Sequence, residues 1–280
     1  MKNTYLDLIQ QTFYFPQDGF EVKNNYLYFH GIPLKQLIEE YETPMRITYL
    51  PKISENIQRA KKYFNDAIRK LNYPGNYNYC YCTKSSHFAH VLVEALKNDI
   101  YLETSSAFDI DIIERLYLNK MLNKDTLIVC NGFKTKIYTQ RISKLANLDF
   151  NIMPVLDNME ELEAYENTII YDCDLGIRIA SEEQPEFQLY TSRLGIRYKE
   201  IKDFYLNKIK PNPKFKLKML HFFINSGIKD NIYYWNELSK LLKVYVELKR
   251  VCPELDSLNI GGGWPFRSSL GFEYDYAYMA

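Results

Sequence analysis

Residues 100–130 read IYLETSSAFDIDIIERLYLNKMLNKDTLIVC. Ile100–Leu102 is a short apolar run of β type, Asp109–Leu118 places apolar residues at helical spacing, and Thr126–Cys130 is again β type. A strand, a helix and a strand in so short a stretch form one βαβ unit, and such a unit requires its two strands to be parallel. The same rhythm continues on both sides. β-type runs fall at Arg46–Leu50, Tyr77–Cys82, Ile152–Leu156, Leu175–Ile179, Lys218–Ile224 and Leu258–Ile260, and helical stretches include Ile53–Leu71, Phe88–Lys97 and Tyr233–Val251. Strands alternating with helices predict a parallel sheet. The number of repeats favours a barrel over a doubly wound sheet, although periodicity alone does not separate the two.

Residues 1–43 stand outside this rhythm, with only an apolar–polar alternation at Tyr26–Phe29 and an amphipathic segment at Leu34–Tyr41. They are read as an N-terminal segment, followed by the barrel over 44–280. Beyond the last β-type run lie Gly261-Gly262-Gly263-Trp264-Pro265 and an aromatic stretch, Gly271–Ala280, that resembles the start of a helix. No further strand follows, so the barrel is expected to be cut short.

Composition narrows the function. Lys plus Arg and Asp plus Glu are each 35 in 280 residues, so no net charge draws the chain to nucleic acid or to an acidic membrane surface. The five cysteines are an odd number at irregular spacing, which disfavours a disulfide framework and favours a reducing, cytoplasmic compartment. No basic and apolar leader pattern opens the chain, and no run is apolar enough to span a bilayer.

In an α/β barrel, reacting groups sit where strands end. Lys84 follows the aromatic strand Tyr79-Cys80-Tyr81-Cys82. A buried amine there would lose its proton and add to a carbonyl, whereas the plain structural alternative is a lysine snorkelling at a strand-to-helix corner. Gly261, Gly262 and Gly263 follow a late strand, where successive backbone amides can cradle a phosphate; a flexible turn is the simpler alternative. His221 and Phe223 alternate onto one face at another strand end, where a flat ring can stack on a planar cofactor and Ser226 can bond a phosphate. An ordinary core strand with one satisfied histidine would look the same. Glu103 closes the strand at Ile100, and a carboxylate there needs a partner; Ser105 or Ser106 suits the N-cap of the next helix. Cys80, Cys82, His87 and His90 are ligand types that zinc accepts, but their spacing matches no common zinc module, so no metal is expected.

Taken in order, these motifs resemble the fold-type III pyridoxal-phosphate decarboxylases, the family of ornithine, diaminopimelate and biosynthetic arginine decarboxylases. Tyr81-Cys82-Thr83-Lys84 is similar to the family's Tyr-Ala-x-Lys strand, and Glu103-Thr104-Ser105-Ser106 with Asp109 to its acid-x-x-Ser-x-x-acid segment. Leu175–Ile179 resembles the strand whose arginine, here Arg178, lies near the cofactor ring. Ser192-Arg193-Leu194-Gly195 resembles Ser-Lys/Arg-Phe-Gly, and His221–Gly227 resembles His-x-His-x-Gly-Ser. Gly261–Gly263 resembles the phosphate-binding glycines.

The resemblance implies a (β/α)8 TIM-type barrel of the alanine-racemase-like kind, lacking its eighth strand and C-terminal β-domain, with residues 1–43 as part of the family's β-domain. It implies pyridoxal 5'-phosphate on Lys84, with Arg178, His221, Phe223, Ser226 and Gly261–Gly263 holding the cofactor and Glu103 orienting it. It further implies a small amino-acid substrate, a homodimer for the full-length protein and a place in polyamine synthesis. Glu103, where other branches carry aspartate, is closer to the arginine-specific branch. Two departures stand out: Phe223 takes the place of the family's cofactor-stacking histidine, and Asn225 that of a glycine. A racemase-like single barrel that carries the cofactor, or a non-catalytic remnant, are the alternatives.

Overall fold

The computed structural model describes residues 19–180, 194–224, 227, 228, 231–266 and 274–280. These fall into two compact units, one drawn from Met1–Tyr49 with Pro265–Ala280 and the other from Leu50–Trp264.

In the first unit, β1 (Phe20–Lys23), β2 (Tyr26–Phe29) and β3 (Ile32–Pro33) form an antiparallel sheet in the order β1-β2-β3, with Phe20 opposite Phe29 and Phe29 opposite Ile32. Helix α1 (Leu34–Tyr41) follows directly, as its amphipathic pattern predicts. Arg46–Leu50, expected as a strand, is not one. Its apolar side chains suit a sheet, but among the described residues no strand pairs with its backbone, and β propensity without a partner makes no strand.

Among its described residues the second unit holds seven strands: β4 (Cys80–Cys82), β5 (Tyr101–Thr104), β6 (Ile128–Cys130), β7 (Ile152–Leu156), β8 (Cys173–Arg178), β9 (Phe215–His221) and β10 (Ser257–Asn259). They lie in sequence order, β4 to β10, and every pairing is parallel. The helices alternate with them: α2 (Pro51–Lys70), α3 (Ala89–Leu96), α4 (Ala107–Leu118), α5 (Lys136–Asn147), α6 (Glu161–Thr168), α7 (Tyr198–Phe204, continued by one turn of π-helix at Tyr205–Ile209) and α8 (Asn231–Lys249). A further helix, α9 (Tyr276–Met279), belongs to the first unit.

Burial explains the order of the layers. All residues of β6 and β7 are buried, as strands covered on both faces must be. Helix α4 turns Asp109, Ile110, Ile113 and Leu116 inward, one stripe at helical spacing. Thr135 caps α5 by accepting the Tyr138 amide at 3.3 Å. On the other face of the sheet, Val129, Met153, Val155 and Met219 meet in one cluster with Cys80 and Leu127 packed against it. Gly176 makes room for it: a Cβ there would stand 3.0 Å from Met219 Cε and 3.1 Å from Val155 Cγ2.

The sheet curls far enough to bring distant strands together. Asn259 of β10 donates from Nδ2 to Oε2 of Glu103 on β5 at 3.1 Å, although four strands separate them. Between β10 and β4 no strand is present among the described residues, so this is the curled, incomplete barrel expected from the sequence. No helix among the described residues is long and apolar enough to cross a membrane, and all five cysteines are free thiols.

Candidate active site

The C-terminal ends of β4, β5, β6, β8, β9 and β10 supply one group of side chains. Lys84 lies two residues past β4, in a turn. Its side chain is exposed, not buried as the aromatic strand suggested, because Cys80, Tyr81 and Cys82 are themselves only half-buried. The ammonium stands 4.4 Å from the ring centroid of Phe223, just past β9. Arg178, the last residue of β8 and buried, brings its guanidinium carbon to 5.7 Å from the same ring. Two cations therefore share one aromatic ring, the geometry of cation–π attraction.

Glu103 lies within the site, held by three donors. Asn259 reaches Oε2 at 3.1 Å, Asn131 reaches Oε1 at 3.4 Å, and the Cys82 thiol approaches Oε1 at 3.7 Å. The partner that a strand-end carboxylate requires is thus supplied mainly by two asparagines on other strands. Asn131 also contacts His221: its Nδ2 lies 2.7 Å from the ring Nε2. Because Asn131 Oδ1 accepts the Gly132 amide at 3.0 Å, Nδ2 is the end turned to the histidine, so Nε2 accepts and the imidazole proton sits on Nδ1. Nδ1 finds no partner among the described residues. Burial holds the His221 pKa below its ordinary value, opposed by the Glu103 charge and assisted by Arg178.

The glycine run closes the group. Gly261 has φ +71°, a Cβ on it would meet the Phe222 carbonyl oxygen at 2.5 Å, and its amide donates to Asn259 Oδ1 at 2.9 Å. Gly263, with φ +84°, would place a Cβ 3.0 Å from Gly227 Cα and accepts the Ile228 amide at 2.9 Å. Gly262 faces open space, and the amides of Gly262 and Gly263 find no acceptor among the described residues. Two backbones pressed together with unspent N–H groups make a cradle of the kind that binds phosphate.

Ser226, Asn225, Ser192 and Arg193 lie outside the described residues. Gly195 does not: its amide donates to the Asp157 carbonyl at 2.8 Å, and a Cβ on it would meet the Ala180 amide nitrogen at 2.6 Å. At α4, Ser106 occupies the N-cap position without a side-chain hydrogen bond. Instead Asp109 Oδ2 accepts the Ser105 amide at 2.8 Å, so the acid rather than a serine ties down this helix start. Burial, with the Glu103 charge adding to it, pushes the Cys80 thiol to about 12 and that of Cys82 to about 11, so both carry their protons. No cluster of His, Cys, Asp or Glu among the described residues is arranged to hold a metal ion.

Chemically, the group offers an amine, a cradle of amides, an aromatic ring and a buried arginine at the C-terminal ends of β4, β10, β9 and β8. These residues suit pyridoxal phosphate: an aldehyde for the amine, a phosphate for the glycines and a flat ring for Phe223.

An incomplete parallel barrel with this site defines a cofactor-binding α/β barrel. The family model described as "Pyridoxal-dependent decarboxylase, pyridoxal binding domain" matches residues 51–273, and the chain belongs to that family. The biosynthetic arginine decarboxylase of Vibrio vulnificus is 23% identical over 263 residues, covering 88% of this chain and 40% of that protein. Among solved structures, the biosynthetic arginine decarboxylase of Campylobacter jejuni superposes with a TM-score of 0.73 at 21% identity, covering 99% of this chain and 47% of that one. Diaminopimelate decarboxylase from M. jannaschi gives 0.75 at 19% identity, covering 91% and 59%. This chain thus spans about two fifths of the length of the curated relative it matches.

Proposed function

We propose that this chain is the cofactor-binding part of a pyridoxal-phosphate-dependent decarboxylase acting on a basic amino acid, arginine in the first instance, within polyamine synthesis. The observation that carries the reading is the Lys84 ammonium 4.4 Å from the Phe223 ring, with Arg178 at 5.7 Å from the same ring. Bound at this site, pyridoxal phosphate supplies the electron sink that lets an amino acid lose its carboxylate.

The protein's own share is to hold and orient. Lys84 supplies the amine, on an exposed turn that an incoming substrate can reach. Gly261–Gly263 would receive the phosphate; the same role for Ser226 rests on the sequence alone, since it lies outside the described residues. Phe223 packs on the ring but moves no proton, because a phenyl group neither donates nor accepts one. Glu103, oriented by Asn131 and Asn259, is an acid facing this region, and it and Arg178 would orient Lys84 and the cofactor's ring oxygen. Arginine as substrate is supported by Glu103 and by the name of the Vibrio relative. A homodimer in the cytoplasm is part of the same reading, the dimer supported by the resemblance and the compartment by five free thiols.

The test is borohydride reduction of the chain incubated with pyridoxal phosphate, followed by peptide mapping. The expected result is cofactor fixed to Lys84 and none fixed in Lys84→Ala. Labelling that persists in Lys84→Ala would overturn the assignment. Carbon dioxide release is then compared for arginine, ornithine, lysine and diaminopimelate. Phe223 favours one second reading, a barrel that binds the cofactor without turning over an amino acid. Fixation on Lys84 with no carbon dioxide from any of the four would select it.

A further inference from the structure

Behind Arg178 lies a set of buried charges, three of which the proposed chemistry does not use. Lys134 sits in the loop after β6, Asp157 follows β7, Glu161 opens α6, and Arg178 ends β8. The side chains of Lys134 and Asp157 are fully buried, and those of Glu161 and Arg178 are 8% and 7% exposed. Two cations face two anions, so the set is neutral.

Lys134 is anchored to backbone. Its ammonium donates to the Gly132 carbonyl at 2.8 Å and, more tightly, to the Val155 carbonyl, and lies 3.5 Å from Glu161 Oε2 and 3.7 Å from Asp157 Oδ2. Glu161 is anchored as well: Oε2 accepts the Asp157 amide at 3.0 Å and Oε1 accepts from Asn158 at 3.2 Å. Asp157 differs from both. Neither carboxylate oxygen accepts a hydrogen bond among the described residues, and the two are divided between cations, Oδ2 to Lys134 and Oδ1 to Arg178 Nη1, each at 3.7 Å. Its main chain is fixed at the amide by Glu161 and at the carbonyl by Gly195.

Buried ion pairs of this kind are poor stabilisers, because desolvation consumes most of the Coulomb attraction and apolar replacements often do as well. What such a frame does provide is direction. We propose that Lys134, Asp157 and Glu161 form a rigid charge frame that sets Arg178 against the Phe223 ring, which makes Asp157 and Lys134 positioning residues for the cofactor. The inference rests on the proposed place of Arg178 at the cofactor. Asp157 meets Arg178 with one carboxylate oxygen and Lys134 with the other, and Lys134 is tied to the β7 backbone at the Val155 carbonyl.

The experiment is a double-mutant cycle on the 280-residue chain with Asp157→Asn, Arg178→Gln and the pair combined. The readouts are the dissociation constant for pyridoxal phosphate, the pH midpoint of the bound cofactor's absorbance band, and the urea midpoint of the chain without cofactor. If Asp157 acts through Arg178, each single variant weakens binding by about tenfold and the double variant is no weaker than Arg178→Gln alone. The pH midpoint then moves equally in all three. Losses that multiply in the double variant, or a pH midpoint unmoved by Asp157→Asn, would overturn the inference while leaving the cofactor assignment intact. A wild-type chain that binds no cofactor would remove the assignment and the inference together. Should Asp157→Asn lose the folded state by urea titration, Glu161→Gln takes its place in the same cycle under the same criteria.

Discussion

His221 shows what single residues do here. It is buried, accepts at Nε2 from Asn131, and is kept neutral by its surroundings. A histidine whose folded-state pKa lies below the unfolded value binds fewer protons folded than unfolded, so its contribution is fully present above about pH 6.5. It is lost as pH falls from there through the lowered folded value. Glu161 has the opposite sign: burial raises its pKa, so acid relieves a penalty there. Comparison with His221→Gln isolates the imidazole. Between pH 7.5 and 5.5 the wild-type urea midpoint is expected to fall more than that of the variant, and parallel decreases would show that His221 is not the group responsible. Little of this was legible in the sequence. Lys84, Glu103, Arg178, His221 and Phe223 stood out by type and by position at strand ends, and the structure brings them into one region. Asn131 and Asn259 did not stand out, because asparagine at a strand end reads as ordinary turn chemistry. Their partners lie 90 and 156 positions away, and only the curl of the sheet joins them.

At the scale of elements, the reading was most accurate at β7, whereas β6, equally buried, begins two residues later than expected. Ile152–Leu156 is a strand with the expected bounds, and each of its residues is covered. Arg46–Leu50 failed because an apolar run does not reveal whether a partner strand lies beside it. Helix α4 begins at Ala107, two residues before the expected start, because Asp109 reaches back to the Ser105 amide and fixes the first turn. The glycine run after β10 stood out by position as a candidate phosphate loop, but the separate backbone geometry of each glycine did not. Gly261→Ala forces a Cβ to 2.5 Å from the Phe222 carbonyl oxygen at φ +71°, strain of about 1–3 kcal/mol that must distort the loop. Gly262→Ala meets open space at an ordinary φ and is expected to change stability by no more than about 0.5 kcal/mol. Urea midpoints for the two variants, with cofactor affinity beside them, check this. Equal losses of stability would contradict the geometry.

Across the whole Leu50–Trp264 unit, the sheet is firm in its middle and open at its ends. β6 and β7 are buried throughout, whereas every residue of β4 and β10 is only half-buried and each of these strands pairs on one side only among the described residues. Local opening follows burial and pairing, so amide hydrogen exchange of the chain alone is expected to be slowest in β6 and β7 and fastest in β4 and β10. The site adds a second effect. Lys84 follows one edge strand and Gly261–Gly263 follow the other, so a ligand holding both ties the two ends of the sheet together. Pyridoxal phosphate should therefore slow exchange in β4 and β10 at once while leaving β6 and β7 nearly unchanged, since those already open only with the global transition. Lys84→Ala should remove the protection at β4 and leave part of it at β10, where Gly261–Gly263, the proposed phosphate cradle, are unchanged. Peptide-resolved exchange with and without cofactor measures all of this. Protection confined to one edge, in the wild-type chain, would mean that amine and cradle do not serve the same ligand.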